Sequence, residues 1–184
     1  MRAFLALLLA ALAAPAAALE ICDELWFTRN LIYDRAGYCF SSPLGRAVFD
    51  NSDCTGSALK LDAAALNMAA RLQAAEQEWE CAVDTSRRTL DVPHLAARMT
   101  MIDIPEPDGY ESGCMGWLGG PLTLHAARSS AAPVTGMIQP GDNIYYGFIS
   151  VDDWHFIVSS HGTADMGWLR DRPDLWTNCR SFAG

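Results

Sequence analysis

Apolar and polar positions along this chain follow two different rhythms. Between Asp23 and Cys81 the rhythm is helical. Leu61, Ala65, Met68, Leu72, Ala75 and Trp79 step by fours and threes, which lines one face of a helix. Asp62 stands where the cap of that helix belongs, and Glu76, Glu78 and Glu80 are expected toward solvent. Upstream, "DELWFTRNLIYDRA" opens with acidic residues and stops at Gly37, a good residue just past a helix end. Between the two, "SSPLGRAVFDN" places Ser42 as an N-cap and Pro43 at the first helical position, predicting a short second helix.

From about Thr85 to Ser112 the pattern breaks. "DVPH" and "IDIPEPDGYESG" are rich in Pro, Asp and Gly and read as linker or irregular chain. "HLAARMTMI" fits a short helix or a strand equally. After Gly113 the rhythm is that of strands. "GWLGGPLTLHAA", "VTGMI", "NIYYGFISV", "WHFIVSS" and "MGWLR" are short runs separated by turns such as "QPGD", "DD" and "HGTAD". About five short strands with turns every 8–12 residues predict a small β-barrel. The fold class is therefore α+β: a three-helix N-terminal domain over 19–84, a linker over 85–112 and a barrel domain over 113–184.

The first residues belong to another category. "MRAFLALLLAALAAPAAALE" has one early positive charge, a short apolar run and the small residues Ala16, Ala17 and Ala18. This is the pattern of a signal peptide over 1–18, cleaved after Ala18. It places the protein in the periplasm or outside the cell. The apolar run is short for a membrane span, and no later run is longer, so none is expected in the mature chain.

Composition then narrows the function. The formal net charge of −9 disfavours nucleic acid and anionic membranes as partners. Six cysteines in an oxidising compartment predict three disulfides. Spacing favours Cys39 with Cys54, Cys114 with Cys179, and Cys22 with Cys81, but leaves the other connectivities open. The third pair requires the first and third helices to run antiparallel.

Catalytic motifs are incomplete. "SALK", Ser57–Lys60, has the S-x-x-K spacing of penicillin-recognising enzymes, but Lys60 is the only lysine and no K-T-G follows. His94, His125, His155 and His161 show no zinc spacing. Asp152 and Asp153 beside His155 and His161 read as a solvated hairpin rather than a metal site, and adjacent aspartates suit paired-carboxylate chemistry poorly. No catalytic residue, metal or cofactor is expected. The aromatic residues of the strand region offer more. Surface rings make recognition platforms, and Tyr146, Trp154 and Tyr145 are the binding candidates, while Trp168 is expected in the core.

Two resemblances sharpen this reading. Arg29-Asn30, Tyr33, Arg35, Gly37, Tyr38 and Phe40 resemble the motif of the YARHG domain, departing at Asp34 and Ala36. The likeness covers roughly Cys22–Cys81. Leu122–His125, the loop Arg128–Pro133, Val134–Ile138, Pro140–Gly141, Trp154 and Gly167-Trp168-Leu169 resemble the bacterial SH3-like (SH3b) domain, with His125 where an arginine is usual. Together they imply an extracytoplasmic, wall-associated bacterial protein. The partner implied is cell-wall glycan or peptide, or an envelope protein, held by a non-enzymatic binding module. The alternative is an accessory, structural or inhibitor-like protein acting through protein contact. Arg29, Asn30 and Arg35 are expected to act structurally, binding backbone groups that the sharp exit at Gly37 leaves unpaired.

Overall fold

The computed structural model describes residues 21–161 and 163–184. The signal peptide expected over 1–18 lies outside them. Four α-helices precede seven strands: α1 Ile21–Arg35, α2 Pro43–Val48, α3 Ala63–Glu78, α4 Leu95–Met99, then β1 Pro107–Trp117, β2 Leu122–His125, β3 Val134–Ile138, β4 Asn143–Phe148, β5 Trp154–His161, β6 Thr163–Arg170 and β7 Cys179–Ala183. The protein is α+β, with a helical N-terminal part and a C-terminal antiparallel sheet. Among the described residues, no helix is long and apolar enough to cross a membrane.

The helix ends follow from local chemistry. Ser42 caps α2 by accepting from the Gly45 amide at 3.1 Å, and Asp62 caps α3 by accepting from the Ala65 amide at 2.8 Å. At the end of α1 the Tyr38 amide donates to the Tyr33 carbonyl at 3.0 Å, and the Gly37 amide to the Asp34 carbonyl at 2.8 Å. Those two bonds, with Gly37 at φ +84°, make a Schellman end. Gly37 also has no room for a side chain, because a Cβ there would lie 2.5 Å from Thr55 Oγ1. Gly37→Val should therefore cost about 1–3 kcal/mol through left-handed strain and this clash. Thermal unfolding checks it, and an unchanged melting temperature would refute the proposed role of this exit.

Three disulfides close the chain on itself: Cys22–Cys81, Cys39–Cys54 and Cys114–Cys179. The first ties the opening turn of α1 to the residues just past α3, so the two helices run antiparallel. Between them Leu25, Ile32, Ala69 and Leu72 are buried together. On its other side α1 packs Phe27 and Leu31 against Phe40, Leu44 and Phe49.

Residues 85–112, expected as linker, are built into the fold. They carry α4 and the first part of β1, and they bury Val92, Arg98 and Met101. Their Pro, Asp and Gly content interrupts regular structure without keeping the segment off the core.

The sheet departs from the expected barrel. Its strand order is β3-β2-β6-β5-β4-β1-β7. The end strands β3 and β7 lie at opposite edges, so the sheet is not closed. The reason is β1, which pairs with β4 along one edge and offers Gly113 to Trp117 on its other edge to β7. The last strand thus extends the sheet beyond β1. At the other end the Thr135 hydroxyl donates to the Met166 carbonyl at 2.7 Å, and the Met137 amide to Asp165 Oδ2 at 3.0 Å, which draws β3 against β6. One face of the sheet buries Trp117, Leu124, Ile144 and Ile157 under Leu175. Phe148, Phe156, Met166 and Trp168 form a second cluster, covered by Met101 and Ala97 from the α4 segment.

Candidate functional site

The motif residues on α1 have separate tasks. Arg35 reaches across to the α4 segment and donates to the carbonyls of Ile102 at 3.0 Å, Met99 at 3.4 Å, and Met101. Burial lowers its pKa, while Asp34 and Asp103 raise it. Asn30 Nδ2 donates to the Trp26 carbonyl at 2.7 Å, one turn back. Arg29 binds no backbone group in this way. Its Nε donates to Glu76 at 2.9 Å, so Glu76 faces α1 rather than open solvent. Tyr33 lies between the two helical clusters, its ring 6.3 Å from that of Tyr38.

The three aromatic candidates do not share a surface. Tyr145 and Tyr146 are neighbours on β4, so their side chains leave opposite faces of the sheet. Tyr145 pairs with Val158 and is exposed. Trp154 is half-buried, edge-on to His125 at 6.5 Å. Tyr146 instead meets a residue that sequence reasoning passed over. Its ring lies 4.7 Å from Trp176, and Trp176 stands edge-on to His155 at 4.9 Å. The signal for Trp176 was a tryptophan isolated among polar residues in "DRPDLWTN".

Asp171 holds this corner together. Its Oδ1 accepts from Trp176 Nε1 at 3.1 Å and lies 3.3 Å from His155 Nε2. On the other side of the imidazole, Nδ1 is 2.7 Å from Ser150 Oγ. Both ring nitrogens are thus engaged, and the ring orientation is set. Ser, His and Asp are the residue types of a nucleophilic triad, but the nitrogens are exchanged: in that triad the serine contacts Nε2 and the aspartate Nδ1. Burial pushes the Tyr146 phenol up to about 12, so it stays neutral at any physiological pH. The result is a surface-facing indole, backed by a phenol and an imidazole and rimmed by a carboxylate and a hydroxyl. Such a surface can stack on an apolar ring face and exchange hydrogen bonds at its edge. Among the described residues, no group of three or more His, Cys, Asp or Glu is arranged to hold a metal.

Comparison with known families divides the chain at residue 80. Residues 2–80 match the YARHG domain. Residues 80–184 match a family described as a domain of unknown function, DUF4453. The chain belongs to the DUF4453 family. No curated protein matches the chain. No solved structure matches it either.

The DUF4453 region contains the whole stretch 113–184 expected as an SH3-like barrel, together with α4 and its flanks, and the family match there is to DUF4453. It is not separate from the YARHG region. Cys81 bonds to Cys22 across the boundary. Asp23 pairs with Arg87 and accepts from the Asp91 amide at 2.8 Å. Glu24 pairs with Arg98 at 2.7 Å, both side chains buried. The acidic first turn of α1, which suits a helix N-terminus, is thus also the socket for two DUF4453 arginines.

Proposed function

We propose that this protein is a secreted or periplasmic, non-enzymatic binding module that holds peptidoglycan, with the Trp176 corner as its glycan-binding surface. The observation that carries the reading is Trp176 itself: the residue is 42% exposed although Tyr146, His155 and Asp171 fix its position. An indole already fixed in place costs little ordering entropy when a ligand packs on it. The polar edge supplied by Asp171 and Ser150 matches the hydroxyls and amides of an amino-sugar polymer. Three disulfides suit an oxidising compartment, where that polymer is found.

Sedimentation with purified, protein-free peptidoglycan tests the reading. The native chain should be retained, and Trp176→Ala should weaken retention about tenfold or more, as loss of an aromatic anchor does. Tyr145→Ala, on the opposite face of the sheet, should bind like the native chain. Absence of retention, or equal retention of Trp176→Ala, overturns the proposal. A second reading, an accessory or inhibitor-like protein acting through protein contact, is favoured by β7, an edge strand that carries the exposed Phe182. Stoichiometric co-purification with one envelope protein, lost in Phe182→Asp, would support it.

A further inference from the structure

A cleft of about 470 Å³ opens where α1 and α3 meet the segment that leads into β1. Ile32, Met68, Ile102 and Ile104 give it an apolar lining. Ile102 is 57% exposed there, a large apolar side chain left in solvent inside a concave site. The rim is charged with both signs. Arg71 donates to Glu106 from Nε at 2.9 Å and from Nη2 at 2.6 Å. Arg128 Nε donates to Asp103 at 3.1 Å. Arg35 closes one end with its bonds to backbone carbonyls. Asp62, at the start of α3, completes the lining. Three guanidinium groups therefore face three carboxylates around an apolar floor.

That balance selects the ligand class. A simple anion would meet as many carboxylates as arginines. A short zwitterionic peptide meets both signs favourably, and its small side chains cover the isoleucines. The rim arginines also keep donors beyond those pairs. The Arg71 side chain is more than half exposed although its partner Glu106 is largely buried, so part of the guanidinium faces solvent. A ligand carboxylate can take its outward N–H donors in the forked geometry that guanidinium favours. A ligand amine can then meet the Asp62 carboxylate, which lines the same cleft.

We infer that this cleft binds the peptide part of peptidoglycan, which is short, rich in methyl side chains, and carries free carboxylates and an amine. The inference rests on the peptidoglycan reading above and assigns the polymer to two sites, glycan at Trp176 and peptide between the YARHG helices and the β1 approach. It gives Arg35 a second task, since the motif residue that clamps the α4 segment also shapes the end of the cleft.

Calorimetric titration of the full chain tests it with two separate probes: stem peptides released by an amidase, and glycan strands stripped of peptide. The native chain should bind the peptides. Arg71→Ala and Ile102→Ser, both at exposed side chains, should each weaken peptide binding about tenfold or more while leaving glycan binding unchanged. If the native chain ignores the peptides, or binds them undiminished in both variants, the cleft assignment fails, and retained glycan binding leaves the peptidoglycan reading standing. If neither probe nor whole peptidoglycan is bound, both fail together.

Discussion

Arg98→Ala is expected to destabilise the protein by about 3–5 kcal/mol, the cost of leaving one member of a buried ion pair without its partner. Arg98 and Glu24 are 3% and 1% exposed in their side chains, and Arg98 Nη1 donates to both carboxylate oxygens, at 3.0 and 2.7 Å. The guanidinium also lies over two rings, 5.3 Å from the centre of Phe27 and 5.0 Å from that of Phe148. One ring belongs to α1 and the other to β4. Truncation therefore removes a charge partner for Glu24 and opens a cavity between the helical part and the sheet. Glu24→Leu alone should cost a similar amount, since it strands the arginine. The double variant Glu24→Leu/Arg98→Met should recover most of the loss, because it removes both charges and keeps apolar volume. Urea unfolding of the native chain, Arg98→Met, Glu24→Leu and Glu24→Leu/Arg98→Met measures the cycle, with Arg98→Ala beside it as the truncation. Additive losses, or single variants as stable as the native chain, would show that the pair does not join the two parts.

Removing the Cys114–Cys179 bond by Cys114→Ala/Cys179→Ala should cost about 4 kcal/mol on loop-closure grounds, against about 3 kcal/mol for the Cys39–Cys54 bond. The difference reflects sequence separations of 65 and 15 residues. The longer loop contains nearly the whole sheet, so the open chain gains far more freedom when it is cut. There is a local consequence too. Among the described strands β7 pairs with β1 at the sheet edge, and this bond is its covalent tie to β1. Hydrogen exchange at the residues of β7 should therefore rise in the variant before exchange in β5 does. Equal melting temperatures for the native chain and the double variant would refute the predicted loss.

Part of this architecture is legible in local sequence. Ser42, Pro43, Asp62 and Gly37 act on amides and carbonyls within a few residues, so the helix ends follow from them wherever the helices later dock. The period of the apolar stripe from Leu61 to Ala75 likewise sets which side of α3 is buried. Trp168 reads as core and is core, its indole N–H satisfied by the Asp103 carbonyl at 2.9 Å. The cysteine spacing favoured pairs that the structure contains.

Other features depend on surfaces that exist only once the elements have packed. Asp23 and Glu24 look like helix-dipole residues, yet their partners Arg87 and Arg98 stand 64 and 74 residues away. Arg29 found Glu76 across the α1–α3 interface for the same reason. An open sheet rather than a barrel was decided by where β7 could pair, and that edge was Gly113 to Trp117 of β1. Tyr145, Tyr146 and Trp154 share aromatic character, but strand alternation and the course of the 171–178 loop placed only Tyr146 beside Trp176. Sequence alone determined the helix stops and the central strand-forming runs, because each depends on neighbours along the chain, and it favoured the covalent staples without closing the other pairings. Tertiary structure alone decided the ion-pair partners, the open sheet and the composition of both candidate binding surfaces, because each joins residues whose proximity is a result of packing.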